Sequence, residues 1–159
     1  MEATLRDGLA ALGLPSPAAP QLLDFARRLL EKNQVMNLTA ITEAKDVATL
    51  HLLDCAALLT LADFQGKSVV DVGTGAGFPG MVLRILEPDF DLTLLASLGK
   101  RVDGLRETCD DMGLSRVTCV HARAEEFAGE HRQAYDMATS RAVAALPLLS
   151  ELALPLVKV

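Results

Sequence analysis

The residues best suited to chemistry lie between Ser68 and Gly80. The run Ser68-Val69-Val70 leads to Asp71, and Gly73, Gly75, Gly77 and Gly80 follow closely. A helical pattern of Met81, Val82, Leu83, Ile85 and Leu86 begins directly after them. Strand, glycine-rich turn and helix in this order form the front of a nucleotide-binding βαβ unit. The glycines let the backbone approach a ligand where a side chain would collide. Pro79 suits a helix start, where its missing N–H removes nothing.

Two ligand chemistries fit this turn, and a third reading needs no ligand. Gly75-x-Gly77-x-x-Gly80 matches the dinucleotide fingerprint, in which a helix N-terminus receives a pyrophosphate. Asp71-x-Gly73-x-Gly75-x-Gly77 resembles instead the first motif of S-adenosylmethionine-dependent methyltransferases. That cofactor carries an amine and a sulfonium and no phosphate, so an acidic strand end beside bare backbone suits it. Glycine-rich strand-to-helix turns also occur as plain structure.

The elements that must position the turn are legible from periodicity. Leu5, Leu9 and Leu12 predict a first helix over residues 2–12, ended by Gly13. Pro15, Pro17 and Pro20 interrupt it, and Leu22, Leu23, Ala26, Leu29 and Leu30 mark a second over residues 18–34. Thr42 can cap a third that runs from Glu43 to about Leu61. Beyond the glycine turn, residues 91–96, 116–120 and 135–139 read as strands. A helix capped by Ser97 and closed by Gly113 joins the first two of these. A loop with a short helical turn at residues 123–127 precedes the third, and Ser140-Arg141 opens a last helix.

This alternation predicts an α/β fold, a Rossmann-like parallel sheet wound on both faces. Residues 1–65 form a helical extension and residues 66–159 the ligand-binding unit. Ligands in such sheets bind beyond the carboxyl ends of the strands. Four clusters stand there: residues 71–80, Ala96-Ser97, residues 121–126, and Ser140-Arg141.

Composition narrows the partners. The 159 residues suit one sizeable core, and half of them are hydrophobic. No apolar run approaches the ~20 residues of a membrane span. The first seven residues lack the basic-then-apolar build of a signal peptide. Cys55, Cys109 and Cys119 are odd in number and widely spaced, as buried thiols of a reducing compartment are. His51, His121 and His131 show no metal-ligand spacing. A cytoplasmic protein without metal or membrane is expected. The net charge of −6 opposes indiscriminate nucleic-acid binding, but Arg27-Arg28, Lys100-Arg101, Arg123 and Arg141 supply local basic groups.

With these clusters assembled, the chain resembles the bacterial 16S ribosomal RNA guanine-N7 methyltransferases, the glucose-inhibited division protein B family. The matching stretches are Asn37-Leu38-Thr39-Ala40-Ile41, His51-Leu52-Leu53-Asp54, residues 71–80, Ser97-Leu98-Gly99-Lys100-Arg101, Arg123-Ala124-Glu125-Glu126 and Ser140-Arg141-Ala142. The resemblance implies a class I fold that uses S-adenosyl-L-methionine and acts on ribosomal RNA or the small ribosomal subunit. Carried over by position, Gly73 and Phe78 line the methionine and ribose side of the cofactor, with Asp71 and Gly75 among its binding residues. Ala96 and Ser97 border its ribose, and Ala124 and Glu125 its adenine. Arg141 stands between cofactor and substrate as the catalytic candidate, while Lys100, Arg101 and Arg123 meet RNA. Guanine N7 carries an exposed lone pair, so no general base is required. Alignment of the reacting atoms and exclusion of water supply the rate. As solvated structural groups, Glu125 is a helix-start charge, Arg141 a surface cap and His51 a packed histidine.

Two departures from the family pattern stand out. Ala96 occupies the strand end where the pattern calls for an acid to hold the ribose hydroxyls. Loss of such a bond, worth roughly 1.5–3 kcal/mol, weakens the cofactor about ten- to a hundredfold. The chain also ends at Val159, where the family continues into a fifth strand. An open edge there is expected to favour self-association through the incomplete sheet. Two alternative readings follow: a non-catalytic binding module on this fold, or a dinucleotide-binding oxidoreductase.

Overall fold

The computed structural model describes residues 2–36, 52–74, 77–140 and 154–158. Helices α1 (Glu2–Ala11) and α2 (Ala19–Met36) open the chain. Short helical turns at Asp54–Ala56 and Ala57–Thr60 lead towards the sheet. Then follow β1 (Ser68–Val72), α3 (Gly80–Leu86), β2 (Asp91–Ala96), α4 (Gly99–Met112), β3 (Val117–His121), α5 (Ala124–Glu130) and β4 (Met137–Thr139). None of the described helices is long and apolar enough to cross a membrane.

The strands lie in the order β3-β2-β1-β4, and every pairing is parallel. The chain builds outward from β1 to β3 and then returns to place β4 on the other side of β1. The order reverses at that point, which opens a crevice at the carboxyl ends.

Alternation along the strands divides the core into two layers. Val69, Leu92 and Leu94 face a large cluster that includes Leu5 and Leu9 of α1, Leu22 and Phe25 of α2, Met81 of α3 and Leu105 of α4. Val70, Val72 and Leu95 face a smaller one with Phe127 and Ala128 of α5 and Leu156. Helices α1 and α2 therefore share their core with the sheet. Cys55, Cys109 and Cys119 are all buried, as small apolar residues would be.

The expected elements recur with local differences. Gly113 closes α4 in the left-handed region at φ 66°, with Leu114 N–H donating to the Cys109 carbonyl at 2.9 Å. Ser97 does not cap α4: Leu98 occupies the N-cap with extended backbone and no side-chain bond. The turn at residues 123–127 is the start of a seven-residue helix. β4 is shorter than expected because Tyr135 pairs outward with Val157. Tyr135 N–H donates to Leu156 at 3.0 Å, and Lys158 N–H to Tyr135 at 2.8 Å. The Asn37 to Ile41 stretch, His51, most of the helix expected from Glu43, Gly75, Arg141 and the last helix lie outside the described residues.

Candidate functional site

The glycine turn is shaped by a buried carboxylate. Asp71, wholly buried, accepts the Thr74 hydroxyl at 2.7 Å, Gly80 N–H at 3.0 Å and the Thr139 hydroxyl at 3.1 Å. Its three donors are neutral, and burial raises its pKa to about 7 against their opposing pull. Glycine is required at two of the turn's positions. A Cβ on Gly77, at φ 105°, would lie 2.8 Å from Met81 Cγ, and one on Gly80 would lie 2.5 Å from Leu94 Cδ2. Tight packing of turn, helix and sheet thus accounts for these glycines.

Above the carboxyl ends of β1, β2 and β3 lies a cleft of about 230 Å³. Val72 and Gly73 line it from β1, Leu95 and Ser97 from β2, and residues 122–125 from the turn after β3. Its floor and sides are apolar, through Val72, Leu95, Ala122 and Ala124. Polar groups come from Ser97, Arg123 and Glu125, all exposed. An apolar slot with a hydroxyl, a carboxylate and a guanidinium at its edge suits a flat heterocycle bearing hydroxyl groups.

The structure thus brings together Gly73, Ser97, Ala124 and Glu125 of the cofactor candidates. Arg123, expected at the RNA surface, lines the same cleft. Three other candidates stand elsewhere. Asp71 turns inward beneath the glycine turn, because its neighbours Val70 and Val72 occupy the opposite face of the strand. Phe78 is buried edge-on against Phe25 of α2, with ring centroids 5.6 Å apart. Ala96 is buried with the α4 side of the core, one residue before the cleft-lining Ser97. Lys100 and Arg101 lie on the first turn of α4, beyond the cleft, with Lys100 exposed. Gly75 and Arg141 fall outside the described residues.

Sequence reading passes over Leu95 and leaves Val72 and Ala122 within the strand-end clusters 71–80 and 121–126 without a role of their own, since all three look like ordinary strand residues. Their signal is positional, since each sits at or just beyond a strand's carboxyl end. Ser140, which follows β4, donates its hydroxyl to the Val72 carbonyl at 3.1 Å. That bond ties the end of β4 to the end of β1.

Comparison with known proteins agrees with this geometry. Residues 18–159 match the family model described as rRNA small subunit methyltransferase G. The protein of that name from Desulfitobacterium hafniense (strain Y51) is 48% identical over 136 residues, covering 84% of this chain and 56% of that protein. Its namesake from Alkaliphilus metalliredigens (strain QYMF) is 46% identical over 160 residues, covering 98% and 67%. The chain thus spans between 56% and 67% of the length of these two relatives. Among solved structures, a putative O-methyltransferase from Klebsiella pneumoniae gives a TM-score of 0.60 at 23% identity, covering 84% of this chain and 60% of that one. A putative S-adenosyl-L-methionine-dependent methyltransferase from Methanococcus maripaludis gives 0.59 at 14%, covering 84% and 57%. The fold is that of class I S-adenosylmethionine-dependent methyltransferases.

Proposed function

This chain belongs to the rRNA small subunit methyltransferase G family, and on that premise we propose that its cleft binds S-adenosyl-L-methionine for methyl transfer to guanine N7 of small-subunit ribosomal RNA. One observation carries the reading. The cleft lies at the carboxyl ends of β1, β2 and β3, beside the switch point, with Ser97 and Glu125 at its edge.

The residues fit the adenosine half of that cofactor. Val72, Leu95, Ala122 and Ala124 would flank a purine, and Glu125 and Ser97 would accept hydrogen bonds from amino and hydroxyl groups. Glycine at position 73 leaves the backbone open to the rest of the ligand. When bound, the cofactor supplies a methyl group activated by its sulfonium. Arg123 at the cleft, with Lys100 and Arg101 beyond it on the first turn of α4, would hold RNA phosphates, and Arg141 would orient the base. Guanine N7 carries its own lone pair, so these residues would align and desolvate the base and remove no proton. The basic groups act against an acidic whole, with net charge −6, so RNA binding is local and salt-sensitive.

Calorimetric titration with S-adenosylmethionine, S-adenosylhomocysteine and a nicotinamide dinucleotide tests this reading. Both adenosyl ligands bind, and Ser97→Ala and Glu125→Ala each weaken them roughly tenfold. Binding of the dinucleotide alone would overturn it in favour of an oxidoreductase. Binding of the adenosyl ligands without methylation of small-subunit RNA would leave a non-catalytic binding module.

A further inference from the structure

The carboxyl end of β2 presents three consecutive carbonyls, and each is held by a different group. Thr74 N–H donates to Leu95 at 3.1 Å and Ala122 N–H to Ala96 at 3.0 Å. Both donors are main-chain groups, independent of the side chain at those positions. The third carbonyl, that of Ser97, lies 3.0 Å from Nε2 of His121. Among the described residues, no other side chain hydrogen-bonds to residues 97–99.

The ring is seated as well as bonded. His121 ends β3 in register with Ala96, one strand away from the turn that it reaches. A Cβ on Gly99 would meet its Cε1 at 3.4 Å and its Nδ1 at 3.6 Å, so the ring lies alongside the first residue of α4. Leu98 between them is 54% exposed and caps nothing. Main-chain bonds hold the carbonyls of Ala96 and Leu98 on either side, and among the described residues His121 supplies the side-chain anchor of the turn carrying Ser97.

We infer that His121 is a positioning residue, whose Nε2–H bond to the Ser97 carbonyl sets the cleft wall that meets the ligand's hydroxyl groups. A carbonyl only accepts, so Nε2 carries the proton and a neutral ring keeps its lone pair on Nδ1. The inference deepens the cofactor reading of the cleft and rests on it for its affinity readout alone.

Two substitutions separate positioning from bulk. In His121→Gln the side-chain amide nitrogen reaches the place of Nε2, whereas His121→Leu removes the donor. S-adenosylmethionine binds about three- to tenfold more weakly to the leucine variant, and glutamine restores the wild-type affinity. The melting temperatures of the two variants agree, because the ring is exposed. Nitrogen-15 spectra of the neutral ring report the Nε2-protonated tautomer. The Nδ1-protonated tautomer, or equal affinity in all three proteins, overturns the inference. If wild type fails to bind S-adenosylmethionine, the cofactor reading fails. Amide exchange at Arg101 and Val102, both bonded to the Leu98 carbonyl, then decides the matter. Faster exchange in the leucine variant than in the glutamine variant supports the role, and equal rates overturn it.

Discussion

Gly80 N–H donates to Oδ2 of Asp71 at 3.0 Å, so the last glycine of the turn is fastened to the strand residue nine positions before it. The same carboxylate takes the hydroxyls of Thr74 within the turn and Thr139 at the end of β4. One buried side chain thus joins β1, the glycine turn, α3 and β4.

Burial of that carboxyl predicts a pH-dependent stability. Burial raises the pKa of Asp71 from 3.8 to about 7, with the three hydrogen bonds acting in the opposite direction. A folded value above the unfolded one means that the protonated form is favoured in the native state. Its contribution is complete below the unfolded value and is lost as pH rises through about 7. The scale of the loss is about 4 kcal/mol. Denaturant titrations from about pH 4 to about pH 8 should show this slope in wild type. In Asp71→Asn, which stays neutral and keeps the acceptor for Gly80, the slope disappears.

Asp71→Leu has a different outcome. It leaves the Gly80 amide and two buried hydroxyls without their acceptor, at roughly 1–3 kcal/mol for each group left unpaired. The variant should lose stability at every pH, measurable as a lower urea midpoint.

A side chain on Gly80 would crowd both the sheet and the turn. Its added Cβ would lie 2.8 Å from Asp71 Oδ2 as well as 2.5 Å from Leu94 Cδ2. Gly80→Ala should therefore cost about 1–3 kcal/mol. Gly129 within α5 has nothing within 4 Å of such a Cβ. Gly129→Ala should stabilise by about 0.5–1 kcal/mol. Paired thermal melts of the two variants check both signs.

Arg84 anchors the opposite end of the sheet. Its guanidinium donates to the carbonyls of Glu87, Pro88, Phe90 and Arg116 and lies 4.2 Å from the Phe90 ring centroid. Arg84→Met keeps the packing but frees four acceptors, and about 3 kcal/mol of stability should go with them. Arg84→Lys recovers only part, since one ammonium cannot copy the planar fork. Denaturant midpoints of the two variants order the effects.

Ala96→Asp supplies the acid that the family pattern places at the end of β2. Its site is buried within the α4 side of the core, so the free protein should lose about 1–3 kcal/mol. The side chain at 96 turns into the core and away from the cleft lined by Leu95 and Ser97, so S-adenosylmethionine affinity should stay within about twofold of wild type. Melting curves and calorimetry check the two outcomes.

The sequence by itself determined the α/β alternation, the parallel sheet and the place of the glycine turn, because periodicity and glycine spacing are local properties. Residues 91–96 form a strand as read, and α2 begins at Ala19 within one residue of the expected start. It also marked Gly73, Ser97, Ala124 and Glu125, which follow strand ends and meet at one cleft. Tertiary structure alone decided which way the remaining candidates face. Asp71 and Ala96 alternate into the core, and the Phe25 ring covers Phe78. His121 matters through a carbonyl 24 residues away. Strand alternation and long-range pairing set these directions, and neither is visible until the strands are placed side by side.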